Sequence, residues 1–168
     1  MIETVHLNVE IFSDHVRVIN SLKMKQRPGR NGEALYLNGE NQQLLSLTLD
    51  GNLLSEDEYE LTDESLSIES PGQDFELVIC SSHKPKENTS FMGLYMSQDN
   101  YFTQCEAEGF RRITYYYDRP DCMSVFTTRI EADKKSLPVL LSNGNRIDFG
   151  DLEKGRHFCS YFDPFPKP

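Results

Sequence analysis

Thr103 to Asp121 reads Thr-Gln-Cys-Glu-Ala-Glu-Gly-Phe-Arg-Arg-Ile-Thr-Tyr-Tyr-Tyr-Asp-Arg-Pro-Asp and concentrates the reactive chemistry of the chain. Gln104, Glu106 and Glu108 stand at alternate positions, so in an extended segment they share one face and Cys105 points to the other. A carboxylate is an acceptor-only anion, suited to a charge-assisted hydrogen bond with an ammonium group. Glu106 and Glu108, about 7 Å apart if extended, also have the spacing of an acid/base pair, but no sugar-binding signature surrounds them. The plainest alternative is a tight hydrogen-bonded corner between strands.

Other candidates for chemistry are dispersed. His6, His15, His83 and His157 stand far apart, and none has a second His at helical ligand spacing. His157, alone on a strand, reads as a hydrogen-bonded packing residue. The four cysteines, Cys80, Cys105, Cys122 and Cys159, form no Cys-x-x-Cys pair, so a zinc knuckle or redox motif is not expected. Cys105 reads as packing, since no His stands near it in sequence. Tyr115 to Tyr117 could stack bases, but a formal charge of -10 disfavours nucleic acid and anionic membranes, leaving core or interdomain packing. The acidic run between Asp50 and Asp74 has no calcium-loop spacing and reads as a solvated surface.

The elements that must position these residues are strands. Val5, Leu7, Val9 and Ile11 alternate with Thr4, His6, Asn8 and Glu10, a half-buried strand that turns at Ser13-Asp14 into Val16, Val18, Leu22 and Met24. Gln26 to Gly32, with Arg27-Pro28-Gly29-Arg30, is a loop by composition. Strands follow at Ala34–Leu37 and Leu44–Leu49, where Leu45, Leu47 and Leu49 alternate. Asp50-Gly51 then signals a hairpin returning through Leu53 and Leu54. Tyr59 and Leu61, Leu66 and Ile68, then Phe75, Leu77 and Ile79 continue the series, and Pro85 sits in a surface loop. Phe91 to Ser97 turns at Gln98-Asp99-Asn100 toward the Gln104 segment. Gly109 permits an unusual backbone angle or a close approach. Asp118-Arg119-Pro120-Asp121 has Pro and acidic residues suited to a first helical turn, so one short helix is expected near 119–126. Phe126, Thr128 and Ile130 resume alternation. Val139–Leu141 reads as a short buried strand, Ser142-Asn143-Gly144-Asn145 as a hairpin turn, and Glu153-Lys154-Gly155 as a turn into His157–Phe162. The reading is a single all-β domain over residues 1–168, an antiparallel sandwich or saddle.

Seven motifs in register add a resemblance. Gly93-Leu94-Tyr95, Thr103 to Arg111, Asp118-Arg119-Pro120-Asp121, Phe126-Thr127-Thr128, Leu140 to Asn145, Gly155-Arg156-His157 and Asp163-Pro164-Phe165-Pro166-Lys167-Pro168 resemble the N-terminal domain of the bacterial aminopeptidase N family, zinc metallopeptidases. The resemblance is continuous from about Phe91 onward. It implies that Gln104 lines the pocket for a substrate's first side chain and that Glu106 receives the free α-amine of a peptide N-terminus, in the active site of a downstream catalytic domain. It also implies zinc in the parent enzyme, held by a His-Glu-x-x-His helix that does not occur here, nor does the family's Gly-x-Met-Glu-Asn loop. Phe158 stands where the family often has Trp.

The chain is therefore expected to be one domain of a larger enzyme, inactive alone and binding no metal itself. The competing expectation is a standalone β-sandwich interaction module, in which Arg111 or Arg112 would engage Glu106. Without a signal peptide or a bilayer-length apolar run, a reducing cytoplasm is the expected location.

Overall fold

In the computed structural model, which describes every residue except Arg27, Pro28, Arg30 and Asn31, the chain forms thirteen strands in three sheets. They are β1 (Ile2–Ile11), β2 (Val16–Lys25), β3 (Leu35–Asn38), β4 (Gln43–Leu49), β5 (Asn52–Leu53), β6 (Glu60–Leu61) and β7 (Ser65–Ile68). β8 (Asp74–His83), β9 (Gly93–Ser97), β10 (Asn100–Gln104), β11 (Ser124–Asp133), β12 (Asn145–Asp151) and β13 (Arg156–Lys167) complete the set. The expected loop at Gln26–Gly32 lies largely outside the described residues.

One eight-stranded sheet runs β12-β13-β11-β1-β2-β8-β4-β5. Its inner face carries Val5, Val16, Val18, Leu22, Leu77, Ile79 and Leu47, the positions that alternation assigns to a core. A second layer covers that face: the sheet β3-β7-β6 contributes Leu37, Leu66 and Ile68, and the segment after Gly109 contributes Ile113, Tyr115 and Tyr116. Three consecutive tyrosines are thus core residues, Tyr115 and Tyr116 fully and Tyr117 partly. Gly39 permits this packing, because a Cβ there would fall 2.1 Å from the Tyr115 ring. Asn20, buried on β2, donates to Thr114 Oγ1 at 3.2 Å and ties the layers together.

Several features of the topology depart from expectation. β1 and β11 pair in parallel, Thr4 opposite Val125 through Glu10 opposite Glu131, within an otherwise antiparallel sheet. No helix forms at 119–126: Asp118 turns back to Arg111 instead of capping the next amides. Beyond it, Ser124 already lies in β11, its Oγ donating to the Ile2 carbonyl at 2.8 Å. The short helical turns are 3-10, at Pro85–Glu87, Phe110–Arg112 and Glu153–Gly155. Val139–Leu141 is not a strand; only Leu140 is buried, its carbonyl accepting the Tyr161 hydroxyl at 2.6 Å. Ser142–Asn145 accordingly leads into β12 without joining two paired strands, and the hairpin that closes this edge lies at Glu153–Gly155, between β12 and β13.

Two smaller details follow from pairing. Asp50 and Gly51 both have positive φ, 48° and 81°, the backbone of a type I′ hairpin. A bulge between Leu44 and Ser46 turns Leu45 outward, which breaks the alternation expected for β4.

His83, at the end of β8, is buried, and neither ring nitrogen has a hydrogen-bond partner among the described residues. Burial pushes its pKa from 6.5 down to about 4, so the ring is neutral in the fold. The unfolded chain takes up a proton as pH falls through 6.5, whereas the folded chain does not until about 4. This contribution is therefore complete above the unfolded value and lost on the way down, about 3 kcal/mol in all. Urea unfolding from about pH 7 to about pH 4 is expected to show that loss, and His83→Leu to flatten this component of the profile.

Candidate functional site

β9 and β10 form a two-stranded hairpin, with Gln104 opposite Gly93 at its open end. From there residues 105–109 turn sharply, and the peptide bond between Glu106 and Ala107 is cis. Gly109 donates its N–H to the Cys105 carbonyl at 2.8 Å, closing the turn, and the 3-10 turn Phe110–Arg112 follows. The segment is therefore folded back rather than extended past Glu106, which removes the geometry assumed for a Glu106/Glu108 acid/base pair.

The turn stands on two glycines. A Cβ on Gly109 would lie 2.2 Å from the Gln104 carbonyl oxygen and 2.9 Å from the Cys105 Cα. Gly93, with φ of 73°, packs so closely that a Cβ would lie 2.6 Å from the Cβ of Arg112. The close approach expected at Gly109 is present, with an ordinary φ of -93°.

Both arginines brace the base of the turn. Arg111 Nε and its own amide donate to Asp118 Oδ2 at 3.0 and 3.1 Å, and Nη2 donates to the Asp118 carbonyl at 3.1 Å. Its guanidinium also lies 3.3 Å from Glu108. The Arg111 carbonyl accepts from the Glu40 amide and from Gln42 Nε2, at 2.9 and 2.8 Å. Arg112 pairs with Glu40 at 2.9 Å and donates to Ser90 Oγ at 3.1 Å. Glu40, Gln42 and Ser90 had no signal in sequence, because they reach the site from loops distant along the chain. Asp118 lay within a motif, but its pattern suggested a helix start.

Above this base the two residues singled out in sequence are exposed. Gln104 donates from Nε2 to the Glu106 carbonyl at 3.2 Å. Glu106 is exposed, and its carboxylate has no hydrogen-bond or ion-pair partner among the described residues. The arginines that an interaction module would need to lock Glu106 are committed elsewhere, to Asp118, Glu108 and Glu40. Cys105 is half-buried against the core, and burial, with the nearby Asp118 charge, pushes its thiol up to about 11. Such a thiol is a poor nucleophile at neutral pH.

Among the described residues no three His, Cys, Asp or Glu side chains come close enough to hold an ion. His157 is a buried packing residue, Nε2 lying 2.8 Å from the Leu137 carbonyl, and His15 sits 2.9 Å from Asp14.

Comparison with known proteins gives a consistent picture. The family described as the Peptidase M1 N-terminal domain matches residues 3–168. Aminopeptidase N of Caulobacter vibrioides is 46% identical over 167 residues, 99% of this chain and 19% of that protein. Its counterpart in Haemophilus influenzae is 42% identical, over 98% of this chain and 19% of that protein. Among solved structures, Legionella pneumophila aminopeptidase A in complex with aspartic acid superposes with a TM-score of 0.93 at 36% identity, covering 99% of this chain and 20% of that one. An M1 zinc metallopeptidase from Deinococcus radiodurans shares the fold alone, with a TM-score of 0.82 at 13% identity over 99% of this chain and 39% of that one. The chain spans about a fifth of the length of the curated relatives it matches.

Proposed function

Because the chain belongs to the Peptidase M1 N-terminal domain family, we propose that it serves a zinc aminopeptidase by presenting Gln104 and Glu106 to the N-terminus of a peptide substrate. Glu106 accepts the free α-amine, and Gln104 borders the pocket for the first side chain. The observation that carries this reading is the exposed Glu106 carboxylate, without a partner among the described residues, standing on a turn whose base is braced by ion pairs and two close-packed glycines. A rigid support of this kind holds a charged group at a set distance from a neighbour without ordering cost on binding.

Zinc would supply Lewis-acid activation of water and of the scissile carbonyl. Among the described residues no cluster of donors would hold zinc, and in this reading the metal and the general base are supplied by a catalytic domain further along the same polypeptide, as the greater length of the relatives allows. What these 168 residues do is bind and orient. An acceptor-only carboxylate favours an ammonium and disfavours a blocked N-terminus, which would leave Glu106 desolvated and unpaired. The result is an exopeptidase preference.

A reducing cytoplasm suits the four free cysteines. No helix among the described residues is long and apolar enough to cross a membrane. The test is Glu106→Gln in the complete polypeptide, assayed on free-amine and N-acetylated versions of one peptide. Discrimination between the two is expected to collapse with metal content unchanged, and retained discrimination would reject the assignment.

A further inference from the structure

The inner face of the large sheet is not covered along its whole width. Register places Val18, Val9, Ile130, Cys159 and Phe149 in one row across β2, β1, β11, β13 and β12, and side chains paired in this way share a face. Burial falls along the row: Val18 is 0% exposed, Val9, Ile130 and Cys159 are half-buried, and Phe149 is 64% exposed. The second layer stops short of β12. The segment leading into β12 lies against the inner side of β13, through the contacts of Tyr161 with Leu140 and of His157 with Leu137. On either side of buried Leu140, Val139 and Leu141 are 69% and 75% exposed.

We propose that this exposed part of the inner face, Phe149 with Leu141 and Val139, bordered by the Arg146 guanidinium 4.5 Å from the Phe149 ring, is the seat of a polypeptide segment that follows these 168 residues in the longer chain and lays an apolar strand or helix face upon it. An inner face is where a sandwich places its core, and a contiguous apolar surface left open in a soluble protein marks a contact site. The occupant is identified by length: the relatives run about five times as long as the segment they share with this chain, so a covering segment is available in the same polypeptide. The inference rests on the reading above that the chain continues into a peptidase, and it makes the hydrophobic core a joint product of residues before and after Pro168.

Hydroxyl-radical footprinting of the unmodified proteins tests it, since labelling reads side-chain exposure directly. Phe149 and Leu141 are expected to be labelled at least about five-fold less in the complete polypeptide than in the 168-residue chain, as follows from covering a mostly exposed side chain. Equal labelling in both would overturn the proposal. So would continued labelling in the complete polypeptide together with self-association of the 168-residue chain that Phe149→Asp abolishes, which would make a second copy the occupant. The outcome is separable from the catalytic reading: protection of Phe149 alongside unchanged kinetics of Glu106→Gln would remove amine recognition and leave the docking face standing.

Discussion

Replacing Glu106 by Ala in the complete polypeptide is expected to lower kcat/KM for peptides with a free N-terminus by about 10²- to 10³-fold, because truncating one partner of a desolvated charge pair costs about 3–4 kcal/mol. Three structural facts confine the effect to the substrate. Glu106 is exposed, has no partner within the described residues, and is not used to hold its own turn, which is closed by backbone contacts and by Arg111 and Arg112. The unfolding transition is therefore expected to move by less than about 0.5 kcal/mol, as for other surface substitutions. Zinc content, measured by elemental analysis, is expected to stay at wild-type stoichiometry. Glu106→Asp, with a carboxylate one methylene shorter, should restore much of the rate if charge dominates and retain most of the loss if reach dominates. Unchanged kinetics in Glu106→Ala would remove the central claim.

The second large effect is in stability. Asp118→Ala is expected to cost about 3–5 kcal/mol, the range for leaving one member of a buried ion pair without its partner. The Arg111 and Asp118 side chains are only 14% and 10% exposed. Asp118 satisfies both the Arg111 guanidinium and the Arg111 amide through one oxygen. Glu108 and Glu40, at 3.3 and 3.9 Å from the same guanidinium, recover only part of that loss. Urea unfolding should show a lower midpoint with unchanged slope. In the complete polypeptide the same change is expected to raise KM for free-amine substrates, since the turn carrying Glu106 loses its brace. Asp118→Asn, which keeps an acceptor for the amide, should lie between the two.

Much of this arrangement could be read from residue order, and the exceptions have physical causes. Alternation located β1 and β2 because each has one face in the core, and Asp50-Gly51 located its hairpin because positive φ at two successive positions demands such residues. The exposed position of Gln104 and Glu106 was expected from motif resemblance, not from periodicity. Local pattern failed where long-range partners decided the outcome. Asp118 reads as a helix start until Arg111 claims its carboxylate, and Val139–Leu141 reads as a buried strand although only Leu140 finds a pocket. The parallel pairing of β1 with β11 has no local signature at all, since residues far apart in sequence meet only through the fold.

That pairing bears on how the molecule is made. β1 leaves the ribosome well before β11, yet it needs β11 on one edge and β2 on the other. Until residues near Val125 have been synthesised, one edge of the opening hairpin has unmet backbone donors and acceptors, and Val5 and Leu7 lack part of their cover. Closure of the central sheet is thus a late event in biosynthesis, and its speed is governed by loop entropy more than by any local preference for strand.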